Sequence, residues 1–389
     1  MKRLAILIVT VIGVGYFVLA QWSAPRPGAQ VGEGSPTALL SGAADPRFSR
    51  AIGQHKFVFP LDHGPHRNFQ SEWWYFTGNL VSGTGQRFGF QLTFFRFALN
   101  PIDPTVPPRS SAWAVNDIYE AHFALTDISK QRFYASSRSS RAALDIAGAQ
   151  PAPFRVWIDD WSVKADADAS TDIWPMRLQA SSVDVGIELL LMPLKQMVLQ
   201  GDAGLSQKSA QPGNASYYYS YPRVAAHGSV RVGSEKMQVE GLTWFDREWS
   251  TSSLAMDQLG WDWLSVQFED GSDFMFYRLR LRDGTVDSRS AGVWIDPQGI
   301  AEPLNASTVD MIPTDWWTSD TSGVKYPLSW KVLVKQKNIN FVVAPLLAGQ
   351  EWRQRFRYWE GAVSASGSRP GQNVVKGSGY LELVGYSNH

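Results

Sequence analysis

The chain contains no cysteine. This absence excludes disulfide bonds, a thiolate nucleophile, a cysteine-ligated zinc site and a lipid anchor on an N-terminal cysteine. Stability must therefore come from the burial of apolar surface, and 389 residues are enough to bury a large core.

An excess of charge of either sign is also lacking. The 36 Lys and Arg residues balance the 36 Asp and Glu residues, and no basic block occurs. A neutral chain lacks the electrostatic attraction that nucleic acids and anionic lipid surfaces require of their partners. We therefore expect no nucleic-acid partner.

Two common catalytic motifs are missing as well. The chain has no Gly-x-Ser-x-Gly sequence, which argues against the serine nucleophile of an α/β-hydrolase. It has no glycine-rich phosphate-binding loop outside its N-terminal segment.

Histidine is scarce, with six in the chain. Two of them, His63 and His66, lie in a loop-like stretch that begins at Asp62. A metal site there would need further ligands, such as Asp62 or Glu72, whereas the alternative is that the histidines order the loop. We favour the second interpretation and predict no metal.

The N-terminus has the composition of an export segment. Lys2 and Arg3 precede an apolar run of 17 residues, Leu4 to Ala20, that ends as signal peptidase sites do. The run is long for a signal peptide and at the lower limit for a spanning helix. We expect either a signal peptide at residues 1–20 or an uncleaved anchor in the inner membrane, and in both cases a periplasmic or secreted body. Residues 21–52, rich in Pro, Gly, Ser and Ala, indicate a flexible linker.

The rest of the chain has the pattern of strands. Apolar side chains alternate over long stretches, as at Phe88, Phe90, Leu92 and Phe94, and turn signals such as Asp270-Gly271 recur between them. Many short strands joined by hairpin turns predict an all-β sandwich or barrel. Short helices fit only between Pro101 and Asn116 or between Pro313 and Ser319. The length predicts two domains.

Aromatic residues are abundant, with 17 Trp, 13 Tyr and 20 Phe. In the segment 72–80, alternation places Trp74, Phe76 and Leu80 on one face of a strand, and Trp73, Tyr75 and Thr77 on the other. Both faces are aromatic, so we expect this strand to be covered on both sides. Glu72 at its start is a further candidate acid.

A pair of carboxylates lies in the segment 244–249. Asp246 and Glu248 share a face of an extended strand, about 6.6 Å apart. Neighbouring carboxylates raise each other's pKa, which can keep one of them protonated at neutral pH. The alternation from Met237 places both side chains outward, as surface carboxylates, unless a bulge at Gly241 reverses the register.

Asp262 is a carboxylate on an apolar face, shared with Leu264, Val266 and Phe268. If the hairpin at Asp270-Gly271 pairs Phe268 with residue 273, Tyr277 is the diagonal neighbour of Asp262. A buried Asp–Tyr pair must be hydrogen-bonded and would have a perturbed pKa. The alternative is a buried aspartate with a structural role only.

Several of these segments together resemble the AttH-like and carotenoid 1,2-hydratase family. The similar segments are 59–64, 72–80, 244–249, 260–263 with 277–280, and 358–361 with 379–383. The resemblance implies two consecutive lipocalin-like barrels, at 53–248 and 249–389, around an apolar ligand. It also implies cofactor-free addition of water to an isoprenoid double bond.

The resemblance implies a set of site residues. We expect the catalytic groups among Asp262, Asp246, Glu248 and Tyr277. We expect the ligand to contact Trp73, Trp74, Tyr75, Trp244, Trp249, Trp261 and Trp263. Aromatic faces stabilise a carbocation, and a carboxylic acid supplies the proton that generates it.

Two positions depart from the hydratase pattern. Arg247 stands where these enzymes have a histidine, and Tyr277 is followed by Arg278 rather than by an aspartate. The departures leave two further hypotheses open. One is a non-catalytic carrier of a hydrophobic ligand that works with a membrane transporter, and the other is a structural protein with both barrels packed solid. We expect a monomer in each case.

Overall fold

The computed structural model describes residues 45–102, 111, 113, 115–166, 173–251, 254–354, 356–369 and 372–387. The predicted export segment, residues 1–20, and most of the predicted linker lie outside these ranges. The last residues of the linker are not free: Ala51 is buried in a core cluster, and Thr251 Oγ1 donates to Ser49 O. Within the described ranges, no helix has the length and hydropathy that a membrane span needs.

A first sheet of thirteen strands follows. Its strands are β1 (Ser71–Ser82), β2 (Arg87–Ala98), β3 (Asp117–Asp127), β4 (Arg132–Arg141), β5 (Ala147–Pro151), β6 (Phe154–Ile158), β7 (Trp161–Ala165), β8 (Met176–Ser181), β9 (Val185–Pro193), β10 (Val198–Leu199), β11 (Leu205–Gln207), β12 (Ala215–Val232) and β13 (Glu235–Ser250). The strand order is β4-β3-β2-β1-β13-β12-β9-β8-β7-β6-β5, and β10 and β11 add to β12.

The first sheet curls into a nearly closed barrel. The two ends of the sheet meet through Arg138 of β4, which donates to Ile158 O of β6 at 3.4 Å and lies over the ring of Trp161. Inside the barrel, alternate residues of each strand form one large core cluster that includes Trp74, Phe76 and Trp249.

A second sheet of ten strands forms half a barrel. Its strands are β14 (Gln258–Phe268), β15 (Asp273–Leu281), β16 (Ala291–Ile295), β17 (Ala301–Asn305), β18 (Val309–Thr318), β19 (Lys325–Val334), β20 (Ile339–Pro345), β21 (Glu351–Arg353), β22 (Arg357–Arg369) and β23 (Gln372–Val384). The order is β17-β16-β15-β14-β23-β22-β20-β19-β18, with β21 beside β22.

The prediction of an all-β protein is confirmed. In the described part of the chain, helix is confined to two single 3₁₀ turns, Leu61–His63 and Lys335–Lys337. The segment from Pro313 towards Ser319, which could have held a helix, belongs to β18. Most of the other such segment, between Pro101 and Asn116, lies outside the described residues. The predicted domain boundary at 248/249 falls inside β13, which continues to Ser250.

The outer face of the first sheet packs against the outer face of the second. We call the buried region between them the inter-sheet layer. Its core cluster contains Tyr75 and Trp244 from the first sheet and Trp263, Met275 and Tyr277 from the second. This layer explains why β1 is aromatic on both faces, as its sequence predicted: one face lies in the barrel core and the other in the inter-sheet layer.

Candidate functional site

A cavity with an empty volume of about 1060 Å³, including the part open to solvent, lies in the inter-sheet layer. Aromatic residues dominate its wall, and the titratable lining residues are Tyr75, His122, Lys208, Tyr218, Asp246, Glu248, Tyr277, Tyr358 and Glu382. The cavity therefore lies between the two sheets, whereas the family resemblance predicted an apolar ligand inside a barrel.

Strand register places the polar groups of the first sheet in rows across the strands. One row on the outer face consists of Ser220, Asp246, Tyr75, Thr93 and His122, on β12, β13, β1, β2 and β3 in turn. Strands lie about 4.8 Å apart, so three steps put the backbones of Asp246 and His122 about 14 Å apart. The cavity thus has two polar ends on this sheet.

The second sheet contributes a matching row. Tyr277, Trp263, Glu382 and Glu360 are in register across β15, β14, β23 and β22. The two rows are joined by a hydrogen bond in which Tyr75 OH donates to Glu360 Oε1 at 2.7 Å. Residues more than 250 positions apart in the chain are brought together by this contact.

Asp246 is a buried carboxyl group with three donors around it. Oδ1 accepts from Ser220 Oγ at 2.5 Å and from Trp244 Nε1 at 2.6 Å, and Oδ2 accepts from Tyr218 OH at 2.7 Å. Burial raises the pKa of Asp246 to about 7; the three donors act in the opposite direction, and Glu248 adds a smaller upward shift. Both protonation states are therefore populated at neutral pH.

Glu248 forms the charged pair of the site. Its Oε1 lies 3.1 Å from Lys208 Nζ and accepts from Ser216. Burial alone would lower the pKa of Lys208, but the Glu248 carboxylate raises it above its ordinary value. Lys208 also lies 4.1 Å from the ring centre of Tyr277, whose hydroxyl is 2.8 Å from Ser206 Oγ.

Glu382 faces the cavity from the second sheet. Its Oε2 accepts from Trp261 Nε1 at 2.8 Å. Burial raises the pKa of Glu382 to about 7, against the effect of the Trp261 bond, and the charges of Asp246 and Glu248 add to the rise. Asp246 and Glu382 thus form a pair of cavity carboxyls on opposite sheets, both with a pKa near neutrality.

The expected pair of Asp262 and Tyr277 is wrong. Gln267, not Phe268, is opposite Asp273, so Asp262 pairs with Arg278 and Tyr277 pairs with Trp263. The cause is a three-residue loop, 269–271, in which Gly271 has a φ of +85°, a geometry that shifts the register by one residue. Asp262 and Tyr277 therefore face opposite sides of the sheet.

Asp262 does face the apolar interior of the second sheet, as its alternation predicted, but it is ion-paired there. Arg278 Nη2 and Arg280 Nε lie 2.7 and 3.2 Å from its oxygens, and Tyr386 OH donates to Oδ1 at 2.8 Å. It does not line the cavity. Asp262 is thus an ion-paired carboxylate of the half barrel, and its catalytic role stays a prediction that no contact with the cavity supports.

The outward orientation expected for Asp246 and Glu248 is confirmed, since β13 has no bulge at Gly241. The expectation of surface exposure is wrong: both side chains are at most 5% exposed, because the second sheet covers them. One strand's alternation shows which way a residue points but not whether another sheet lies there.

The aromatic candidates fall into three groups. Those that line the cavity are Trp73, Tyr75, Trp261 and Trp263. Trp244 lies behind the wall and donates to Asp246. Trp74 and Trp249 do not line this cavity, because even-numbered β1 residues and odd-numbered β13 residues point into the first barrel.

His66 belongs to a buried ionic network inside the first barrel, whereas His63 Nδ1 lies 2.6 Å from the hydroxyl of Tyr219. Glu72 accepts from Arg96 and Arg247, and His66 stacks on Trp249 at 3.7 Å. The two arginines hold the pKa of Glu72 well below its usual value, against the opposing effect of burial. Among the described residues, no group of three or more His, Asp or Glu side chains has the geometry to hold a metal ion. Arg247 faces this network and not the cavity.

Several cavity residues have no signal in the sequence alone. Lys208, Tyr218, His122 and Gln91 carry no local signal, because their neighbours in space come from distant strands. Tyr358, Glu360 and Glu382 did lie in segments that resemble the family, and alternation with the buried Trp359, Leu381 and Leu383 would have placed them on the opposite face.

Comparison with known proteins shows which family this is. A family model described as AttH-like matches residues 50–386, so the chain belongs to the AttH-like family, as the sequence motifs predicted. The crystal structure of an AttH protein from Nitrosomonas europaea is 32% identical, with a TM-score of 0.76 over 88% of this chain and 100% of that one. The likeness confirms the lipocalin-like fold class.

Two further relatives are enzymes by name. Kievitone hydratase from Nectria haematococca is 15% identical, with a TM-score of 0.63 over 87% of this chain and 98% of that one, a likeness that shows the fold alone. The dehydratase asqC from Emericella nidulans is 26% identical over 168 residues, which are 40% of this chain and 45% of the relative's length. The match thus spans less than half of that dehydratase.

Proposed function

We propose that the protein binds an apolar small molecule in the inter-sheet cavity and adds water to it, or removes water from it, without a cofactor. The observation that carries the proposal is the pair Asp246 and Glu382, two cavity carboxyls with pKa values of about 7. A hydro-lyase needs one acid and one base at the operating pH, and such a pair supplies both. The hydratase and the dehydratase among the relatives support the same reaction class.

The chemistry of hydration assigns a role to each carboxyl. Protonated Asp246 donates its proton to one carbon of an alkene, leaving a carbocation on the other. Water attacks the cation, and ionised Glu382 takes the proton that the water loses. One water has then been added and one proton has moved from Asp246 to Glu382; proton exchange with solvent water returns both carboxyls to their starting states. Dehydration runs the same steps in reverse, with Asp246 as the base and Glu382 as the acid.

The cavity wall suits the cation that this mechanism requires. Trp73, Trp261 and Trp263 line the space near the carboxyls. Indole faces attract positive charge by up to about 2 kcal/mol when desolvated. Tyr218 links the two sides, since its hydroxyl donates to Asp246 and accepts from Trp263 Nε1 at 3.4 Å.

The test begins with whatever apolar molecule co-purifies, found by solvent extraction and native mass spectrometry. That molecule and a panel of terminal isoprenoid alkenes are then incubated with the protein in water labelled with heavy oxygen. We expect one labelled oxygen per product molecule, and a loss of at least about 100-fold in turnover for Asp246→Asn with ligand binding retained. Full turnover by Asp246→Asn would contradict the assignment.

A carrier function is the second candidate, favoured by the aromatic wall of the cavity. It predicts that the bound molecule is recovered unchanged after long incubation and that Asp246→Asn has no effect on its release. Export to the periplasm and work beside a membrane transporter remain proposals, motivated by the sequence of residues 1–20.

A further inference from the structure

The cavity has a second polar end. It lies on the same face of the first sheet as Asp246, three strands away. Gln91, His122 and Tyr358 line it. Tyr358 OH is 2.7 Å from His122 Nδ1, and Gln91 Nε2 donates to Tyr358 OH and to Thr93 Oγ1, both at 3.3 Å. These groups come from β2, β3 and β22, so both sheets build this end.

The direction of each hydrogen bond follows from the chemistry of the partners. His122 Nε2 lies 3.0 Å from Glu120 Oε1, and a carboxylate can only accept, so Nε2 carries the proton. Nδ1 of the neutral ring is then the acceptor for Tyr358 OH. Burial lowers the pKa of His122, although Glu120 acts in the opposite direction, which agrees with a neutral ring.

With these bonds made, the side-chain donors of Gln91, His122 and Tyr358 are all used. Gln91 Oε1 is left, a buried carbonyl oxygen with no hydrogen-bond partner among the described residues. Gln91 is 2% exposed and lines the cavity. An unmet buried acceptor is costly, by about 1–3 kcal/mol, so a ligand that supplies a donor there gains affinity.

We propose that this end of the cavity binds a hydroxyl group of the ligand, with Gln91 Oε1 as its acceptor. The proposal deepens the proposed function and rests on its ligand-binding part. It defines the ligand class: an apolar body that carries an O–H donor at the end remote from Asp246. The same oxygen selects against an ether, which can only accept.

A matched pair of probes tests this selectivity. Binding of para-nonylphenol and of its O-methyl ether to the full chain is measured by quenching of tryptophan fluorescence and by calorimetry. We expect the phenol to bind about tenfold more tightly than the ether in the wild type. Gln91→Met keeps the size of the side chain but removes the acceptor, so this variant should bind the two probes equally. Gln91→Glu keeps an acceptor oxygen and should still prefer the phenol.

A second buried polar atom without a hydrogen-bond partner among the described residues, the hydroxyl of Tyr380, provides the control. Tyr380 lies in the inter-sheet layer, and it does not line the cavity. Tyr380→Phe should therefore keep the wild-type ratio. The inference is overturned if the wild type binds both probes equally or binds neither, or if Gln91→Met keeps the preference. If the wild type prefers the phenol but adds no water to any alkene in the heavy-oxygen experiment, this inference is supported and the proposed chemistry is contradicted.

Discussion

Glu360 and Glu382 lie directly opposite each other on β22 and β23, with both side chains in the inter-sheet layer. Burial and the neighbouring Glu382 raise the pKa of Glu360 well above its usual value, and Tyr75 OH is the donor that partly offsets this. Two carboxyls so placed cannot both ionise without a large cost. At neutral pH the pair carries less than its formal charge.

This pair predicts a pH dependence of stability. The pKa of Glu382 is about 7 in the fold and 4.5 in its ordinary state, so the folded protein binds more protons between these values. Its contribution is fully present below the lower value and is lost as pH rises through about 7. Glu382→Gln removes the titrating group, so its free energy of unfolding should fall less than that of the wild type as pH rises, by up to about 3 kcal/mol. Water that reaches the carboxyl from the cavity reduces this difference.

The measurement is urea unfolding of the wild type and Glu382→Gln at several pH values. Only the difference between the two proteins is interpreted, because groups such as His63 act in the opposite sense: its pKa is lowered to about 3, and its contribution grows as pH rises. A difference that does not change between pH values of about 5 and about 8 would contradict the raised pKa.

The pH dependence of turnover is a separate prediction. The alkene must be protonated by neutral Asp246, and ionised Glu382 must accept a proton from water. For hydration, kcat/KM should therefore fall both above and below pH values of about 7, since both carboxyls titrate there. The profile is recorded with the alkene found in the heavy-oxygen experiment. A rate that keeps rising above neutral pH would exclude Asp246 as the acid.

Strand alternation predicted correctly which face of a strand each side chain lies on. It did not predict which strands pair or which sheet covers a face. It assigned the two faces of β1 and the directions of Asp246 and Asp262 correctly, because side-chain period depends only on the backbone. It failed at the β14–β15 turn, where one residue in the loop decides the register. It gave no sign that the second sheet would bury Asp246.

The missed residues have the same physical origin. His122 is joined to Tyr358 from a strand 236 positions away, and Lys208 pairs with Glu248 across 40 positions. No periodicity in a single sequence records which strands meet in the inter-sheet layer. The family motifs did contain Tyr358, Glu360 and Glu382, but a motif gives no role until the facing sheet is known.

Asp262 provides a test of structural against catalytic carboxylates. Asp262→Asn removes the carboxylate that Arg278 and Arg280 contact, and breaking a buried ion pair costs about 3–5 kcal/mol. We expect a large loss in the free energy of unfolding, measured in urea, with ligand binding by the folded fraction unchanged. Asp246→Asn should instead lose turnover while it keeps its ligand binding and its free energy of unfolding. Lost turnover in Asp262→Asn at unchanged stability would return Asp262 to the mechanism.

A close approach of the two sheets at Gly89 and Ala362 offers the last prediction. Gly89 of β2 faces the inter-sheet layer, and a Cβ atom there would lie 2.5 Å from the Cβ of Ala362 on β22. Gly89→Ala must therefore push β22 away from β2, and overpacking of this kind costs about 1–3 kcal/mol. Because Gln91 and Tyr358 lie on the same two strands, the hydroxyl-binding end of the cavity should open. We expect weaker binding of para-nonylphenol together with a lower unfolding free energy.

Gly83→Ala, at the turn between β1 and β2 where nothing lies within 4 Å of the added atom, is the matched control and should change neither. Equal effects of the two substitutions would show that the contact between the sheets does not shape the cavity.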